Sequence, residues 1–376
     1  MKKKVVAILA SRVAYGKERS NIEVYHLLQN SGLYDMTVLV SNQSQQRIYD
    51  LLGDLNFVKL PFPDRHLTSF LKYLIDLIRI NIILTRFFFR NKPDVVFINN
   101  ELTIYDLFIS LYIYKGKIVY RIGDAPAYPN LRFYFANSRM WKYFCVKRVD
   151  TFVYISDYIR KTVETTGRSS IKDKTIYNYP PARNTITNKL SIRKDEKILT
   201  FGYIGQIFKQ KGVDLFVDAA KKILAMGYVC HFYIAGGLKF DKEFGDLIKE
   251  MTLGESHIDL LDEVEDIETF YSNIDVLVVP SVKEEPLGNI LVEAKKYHRP
   301  CVIFPSGGMP ELITHKVDGF VCKNKTVDAL FEGLKYYLDN STVLNDHKQA
   351  SFDSIVKLNI DRKTFETKWL EVFEKA

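Results

Sequence analysis

The sequence predicts an α/β protein made of two doubly wound parallel-sheet units. Three observations carry that prediction. Short Val/Ile-rich runs alternate with longer helical stretches along the chain, and strands buried on both faces read as such uninterrupted runs. The rhythm pauses over 178–197, NYPPARNTITNKLSIRKDEK, where Pro180 and Pro181 stop regular structure and the composition turns polar. It then restarts, and 376 residues is the length of two domains at roughly 100–200 residues each.

Taken in order, the first element is a strand over 5–10. The opening MKKKVVAILASR mimics a secretory leader, with a basic start and an apolar run. That run is shorter than the about 7–15 residues a leader needs, and Arg12 follows at once, so a buried first strand fits better. Further strands are expected at 37–40, 95–98, 118–122 and 151–155. Helices are expected at 20–30, 67–89 and 132–146 between them. After the linker come a strand at 198–204, a helix at 213–225, and strands at 231–235, 276–279 and 301–304. The last element, 361–376, has Phe365, Trp369, Val372 and Phe373 on one helical face. The units are expected over 1–188 and 189–358, with 359–376 as a separate closing helix. Two such units make a cleft between the carboxyl ends of their strands, where sheets of this kind bind ligands.

Composition narrows the function. Hydrophobic residues at 47% and charged residues at 26% exclude a disordered chain, a collagen-like repeat and a disulfide scaffold. Cys145, Cys230, Cys301 and Cys322 are scattered, as buried thiols of a reducing compartment would be. The seven histidines show no metal-ligand spacing. No window is long and uncharged enough for a membrane span, since 67–89 carries Lys72, Asp76, Arg79 and Arg86. The net charge of +8 is uneven: 28 Lys/Arg against 15 Asp/Glu over 1–188, and 25 against 30 over 189–376. A basic first half implies an anionic partner, which leaves nucleic acid, a membrane surface or a phosphorylated substrate. Nucleic acid is the poorer reading, because no recognised binding motif accompanies the charge.

The segment LTSFLKYLIDLIRINIILTRFFFR (67–90) places Lys72, Asp76, Arg79, Arg86 and Arg90 on one stripe of an otherwise apolar helix. Segment 132–148 adds Arg139, Lys142, Lys147 and Arg148 among aromatic residues, and Lys2, Lys3 and Lys4 add more. Such helices pack on a sheet with solvated basic faces, or lie in the interface of an anionic membrane. The second reading gives a cytoplasmic protein, peripheral on the inner face of the cell membrane.

Two motifs follow strands. GQIFKQKG (205–212) joins a strand to a helix, with Gly205 and Gly212 for close backbone approach and Lys211 as a point charge for phosphate. Its spacing is not that of a P-loop, and an ordinary strand-to-helix turn reads the same way. PSVKEEPLGNILVEA (280–294) puts Glu285 on a loop and Glu293 on the next helix. Amides of Gly288 and Asn289 would open that helix as an anion site. Glu293 could accept hydrogen bonds from a diol, and Glu285 could bind a second polyol. Glu284 reads as a solvated surface charge.

These stretches, with GGMPELI (307–313) and Asp318-Gly319, resemble the retaining glycosyltransferases of family 4. The resemblance implies a GT-B fold: two Rossmann-like domains around a nucleotide-sugar cleft, with the C-terminal helix crossing back to the N-terminal domain. It makes 1–188 the acceptor-binding domain and 189–358 the nucleotide-sugar domain. Glu285 and Glu293 match the family's E-x7-E pair, so Glu285 would contact donor-sugar hydroxyls and Glu293 the ribose. GQIFKQKG matches G-R-x-x-x-x-K-G, so Lys211 would hold the diphosphate with amides near Gly16 and Gly288. GKER (16–19) resembles the G-G-x-E-R loop, and Asn178 lies where an N-G-V-D element is found. The resemblance implies no cofactor and no divalent metal, with a UDP-sugar favoured over a GDP-sugar, and the chain contains no D-x-D triplet. Three departures stand out. Gln206 replaces an arginine, and Lys209 is placed to substitute for it. Lys17 replaces the second glycine. Asp124 stands in RIGDAP (121–126), where a histidine is frequent; it would contact sugar or orient the acceptor, or serve as a turn residue or helix cap.

The reading is therefore a glycosyltransferase that moves a sugar from a nucleotide-diphosphate donor to a glycan or lipid-diphosphate-linked acceptor in bacterial surface polysaccharide, lipopolysaccharide or capsule synthesis. A nucleotide-sugar epimerase or hydrolase on the same fold fits the same residues. So does an inactive sugar-nucleotide-binding subunit, given Gln206.

Overall fold

A computed structural model describes residues 1–63, 70–99, 101–124, 147–164, 172–179, 198–238, 240–264 and 266–376. The chain divides into two compact units, Met1–Pro181 with Arg362–Ala376, and Ala182–Asp361.

The first unit is built on seven strands: β1 (Lys3–Leu9), β2 (Tyr34–Ser41), β3 (Asn56–Leu60), β4 (Val95–Ile98), β5 (Lys117–Ile122), β6 (Thr151–Tyr154) and β7 (Lys174–Thr175). Their order is β3-β2-β1-β4-β5-β6-β7, and every ladder is parallel. Val5 to Leu9 of β1 are buried without a break, because crossover helices cover both faces. Helix Gly16–Asn30 begins four residues earlier than the sequence suggests, since its polar first turn reads as loop. The C-terminal helix Arg362–Lys375 packs into this unit's core. Phe365, Trp369, Val372 and Phe373 form its buried face, and the Trp369 and Phe373 rings meet Phe97 of β4 edge-on at centroid distances of 5.5 and 5.3 Å.

Helix Phe70–Asn91 buries Tyr73, Leu77, Ile80, Leu84 and Phe88. Its outer side keeps Leu71, Leu74, Ile75, Ile78, Ile82 and Phe89 exposed at 38–67%, interleaved with exposed Arg79, Arg86 and Arg90. The expected helix over 132–146 lies outside the described residues, as do Cys145 and nearly all of the linker. No described helix is long and apolar enough to cross a membrane.

The second unit carries β8 (Leu199–Ile204), β9 (Cys230–Ala235), β10 (Ile258–Leu261), β11 (Val276–Val279), β12 (Cys301–Ile303) and β13 (Gly319–Val321). Their order is β10-β9-β8-β11-β12-β13, again all parallel. β3, β10 and β13 are absent from the sequence reading, and β7 overlaps the strand it places at 175–177 just before Asn178. Each lies at or beside a sheet edge and is short or partly exposed, so no long apolar run marks it. Cys230, Cys301 and Cys322 are free and buried in this unit, and burial pushes each thiol up to about 12.

Candidate functional site

In an open parallel sheet, ligands bind beyond the carboxyl ends of the strands where the strand order reverses. In the second unit that point lies between β8 and β11. The loops leaving these two strands are 205–212 and 280–288, the two motifs the sequence singled out.

The loops are fastened to each other. Amides of Val282 and Lys283 both donate to the Gln210 carbonyl, at 3.0 and 3.1 Å. Gly212 takes φ +69°, and a Cβ there would sit 2.1 Å from the Pro280 carbonyl oxygen, so only glycine permits the approach. Residues 209–211 form a 3-10 turn that turns Lys211 toward the second loop. Its Nζ lies 2.6 Å from Glu285 Oε1, and the Ser281 hydroxyl donates to the same oxygen at 2.8 Å. The two charged side chains are 27% and 17% exposed. Lys211, expected as an open phosphate cation, is thus paired with the carboxylate expected to hold the sugar. Gln206 lies at the start of the same turn, where its carbonyl accepts from Tyr203 at 2.7 Å.

The 280–288 loop also rests on the loop after β12. The Gly308 amide donates to the Glu285 carbonyl at 2.8 Å, and the Ser306 hydroxyl donates to the Ser281 carbonyl. Glu284 is exposed, as the sequence suggests, and is also bonded. Its carboxylate accepts from the Gly307 amide and from Lys325, and Lys325 also donates to the Val282 carbonyl at 2.9 Å. The Lys325 ammonium holds this carboxyl below the usual carboxylate range. Sequence reasoning missed the role because the partners lie 23 and 41 positions away.

Gly288, at φ +88°, caps helix Asn289–Lys296. Asn289 is the helix's first residue, and Glu293 follows one turn later on it. Amides in the first turn of a helix lack intrahelical acceptors and favour anions. The helix is held from behind by Lys295, which is fully buried and donates to Asp318 at 2.8 Å and Ser354 at 2.6 Å. Asp318 accepts the Thr314 amide with its other oxygen. Asp318-Gly319 therefore serves the site by anchoring the helix that carries Glu293.

The first unit has its reversal between β1 and β4. Gly16 opens the helix after β1, and Glu18 closes its first turn by accepting the Tyr15 amide and the Ser11 hydroxyl. Lys17 reaches Asp124, beyond β5, with Nζ 2.6 Å from Oδ2. Lys17 thus holds Asp124, and its stem fills the space over Gly123. Arg121, on β5, is 2% exposed and donates to the side-chain oxygens of Asn21 and Asn178. Its guanidinium stands 5.7 Å from the Trp369 ring, and burial brings it down to about 10. The sequence reading did not mark Arg121 as an organising group.

Residues 183–353 match the family described as glycosyl transferases group 1. A 42.6 kDa protein of the cps region of Klebsiella pneumoniae is 29% identical over 59% of this chain and 60% of its own length. The capsular polysaccharide biosynthesis glycosyltransferase CapM of Staphylococcus aureus is 24% identical over 42% of each chain. The chain thus spans roughly two fifths to three fifths of these relatives' length. Among solved structures, Anabaena Alr3699/HepE in complex with UDP superposes over 100% of both chains at a TM-score of 0.78 and 15% identity. The fold is GT-B, and the match to glycosyl transferases group 1 falls on the second unit, where Lys211, Glu285 and Glu293 stand.

Proposed function

We propose that the chain is a retaining, metal-independent glycosyltransferase that takes a UDP-sugar as donor and a glycan or lipid-linked acceptor. The observation that carries this reading is the cluster of Lys211, Glu285 and Ser281 at the β8/β11 reversal, inside the segment that matches glycosyl transferases group 1. Lys211, the amides of Gly288 and Asn289, and Gln206 bind the diphosphate. Glu293 binds the ribose, Glu285 the sugar hydroxyls. Asp124 orients the acceptor. The acceptor oxygen attacks the anomeric carbon on the face from which the diphosphate departs. The carbon–oxygen bond to the diphosphate breaks, and a leaving phosphate oxygen takes the acceptor proton. The protein's part is positioning and stabilisation of the departing charge. UDP in a structure of the same fold supports the donor class, and the name of CapM supports synthesis of a surface polysaccharide.

The test is calorimetric binding of UDP-glucose and other nucleotide sugars without metal, followed by product analysis with candidate acceptors. A donor at 100 times its Kd adds about 2.7 kcal/mol of stability. Binding of none of them overturns the reading, and turnover without acceptor selects an epimerase or hydrolase.

The partner of the first unit in this reading is an anionic membrane surface. The exposed side of helix Phe70–Asn91 joins large apolar residues to Arg79, Arg86 and Arg90, the pattern of a helix lying in a bilayer interface. Vesicles of phosphatidylglycerol should sediment the protein, and vesicles of phosphatidylcholine should leave it in solution. Equal sedimentation with both refutes this partner.

A further inference from the structure

We infer that Lys211 and Glu285 work as an exchangeable pair that makes the site prefer an intact nucleotide sugar over the nucleoside diphosphate it leaves behind. The inference rests on the donor reading above and concerns what the resting ion pair does to affinity.

Among the described residues, Glu285 Oε1 takes both of the carboxylate's hydrogen bonds, from Lys211 at 2.6 Å and from Ser281 at 2.8 Å. Tyr203, the buried phenol near it, is turned away and donates to the Gln206 carbonyl. A diphosphate that takes Lys211 as its counter-ion therefore leaves Glu285 with Ser281 alone. The carboxylate is mostly shielded from water, so losing its cation is costly. A sugar attached to the diphosphate repays that cost, because each hydroxyl is an O–H donor for the vacated carboxylate oxygen. A nucleoside diphosphate without sugar brings no such donor. After transfer, Glu285 recaptures Lys211 and the product diphosphate loses its cation. One pair thus couples recognition of the sugar to recognition of the diphosphate, and favours release of the spent nucleotide.

The two partners of Glu285 Oε1 give variants of opposite sign. Glu285→Gln removes the competing charge, so UDP should bind about tenfold more tightly than to the unmodified protein, while UDP-glucose gains nothing or weakens. Ser281→Ala removes the bond Glu285 keeps after Lys211 leaves, so UDP should bind several-fold more weakly. Calorimetry with UDP and UDP-glucose on the three proteins, at matched ionic strength and with melting curves to confirm folding, reads both effects. Glu285→Gln with an unchanged or weaker UDP affinity overturns the exchange, and so does Ser281→Ala that binds UDP as tightly as before. If the unmodified protein binds UDP-glucose but the variants shift neither affinity, the exchange fails and the donor reading stands. If the unmodified protein binds neither ligand, nor any other nucleoside diphosphate or its sugar, both fail.

Discussion

Gly307→Ala should damage the fold and the candidate site together. Gly307 has φ +55°, a left-handed conformation that costs an L-residue roughly 1–2 kcal/mol. An added Cβ would also lie 2.1 Å from the Glu285 carbonyl oxygen and 2.9 Å from the Glu285 amide nitrogen. Ordinary contact begins near 3.4 Å, so the two loops must part by about 1.3 Å, the difference of the two distances. That movement stretches the bond from the Gly308 amide to the Glu285 carbonyl and the hold of Glu284 on the Gly307 amide. Adding overpacking at about 1–3 kcal/mol, the loss of stability should be about 2–5 kcal/mol. A displacement of about 1 Å at a reacting geometry costs about a hundredfold in rate, and Glu285 is on the loop that moves. Gly227→Ala is the control. It shares a positive φ, +83°, but nothing lies within 4 Å of its Cβ position. Urea unfolding should show Gly227→Ala losing only the backbone cost, with UDP-glucose affinity intact. Gly307→Ala should lose more stability, and its folded fraction should turn over about a hundredfold more slowly. If the two variants lose the same stability and both keep donor affinity, the loop-contact argument is wrong.

Trp369→Ala should destabilise the first unit by about 3–5 kcal/mol, because a fully buried indole set among Phe97, Phe365 and Phe373 leaves a large cavity. A loss below about 1 kcal/mol in urea unfolding would show that the C-terminal helix is dispensable to that core. Burial lowers the proton affinity of His347, which hydrogen-bonds to Tyr337 at 3.0 Å. The unfolded chain then binds the proton more readily, so stability is complete above the ordinary histidine range near 6.5 and falls as pH drops through the lower folded value. His347→Gln should flatten that acid-side decline, and identical slopes in the two proteins would remove His347 as its cause.

Much of the fold was legible because its central strands announce themselves. β4 and β11 are unbroken apolar runs, β1 is one from Val5 onward, and β8 is mostly apolar around Thr200 and Gly202; these are the strands that flank the two reversals. The edge strands were not legible. β3 exposes four of its five residues, and β13 is three residues long, so neither makes a run that periodicity can detect. Within the site, Lys211, Glu285, Gly288 and Glu293 could be singled out because each sits at a fixed offset from a strand end. What the sequence could not show is who holds whom. The partner of Lys211 is 74 positions away, and that of Lys295 is 23. Gln206 removes a phosphate charge relative to the resembled family, and Lys209, the substitute the sequence offers, stands with Lys211 on the 3-10 turn that follows. In sequence, helix Phe70–Asn91 is a charged stripe on an otherwise apolar helix; only the structure shows that six of its large apolar residues stay exposed beside those charges.

Among the described residues the same device occurs in each unit, at different strength. A lysine just past the first strand of the reversal is bonded to a carboxylate from another loop on the same edge: Lys17 to Asp124 in the first unit, Lys211 to Glu285 in the second. Neutralising such groups against each other lets the chain place charges at a sheet edge without leaving them bare. The environments rank the two pairs. Asp124 is half exposed, and a pair of that kind is worth about 0–1 kcal/mol. Glu285 is mostly shielded and is further tied through Ser281, so separating Lys211 from it costs more. On the proposed donor reading, the second unit's more shielded pair is the one that sets selectivity for the donor.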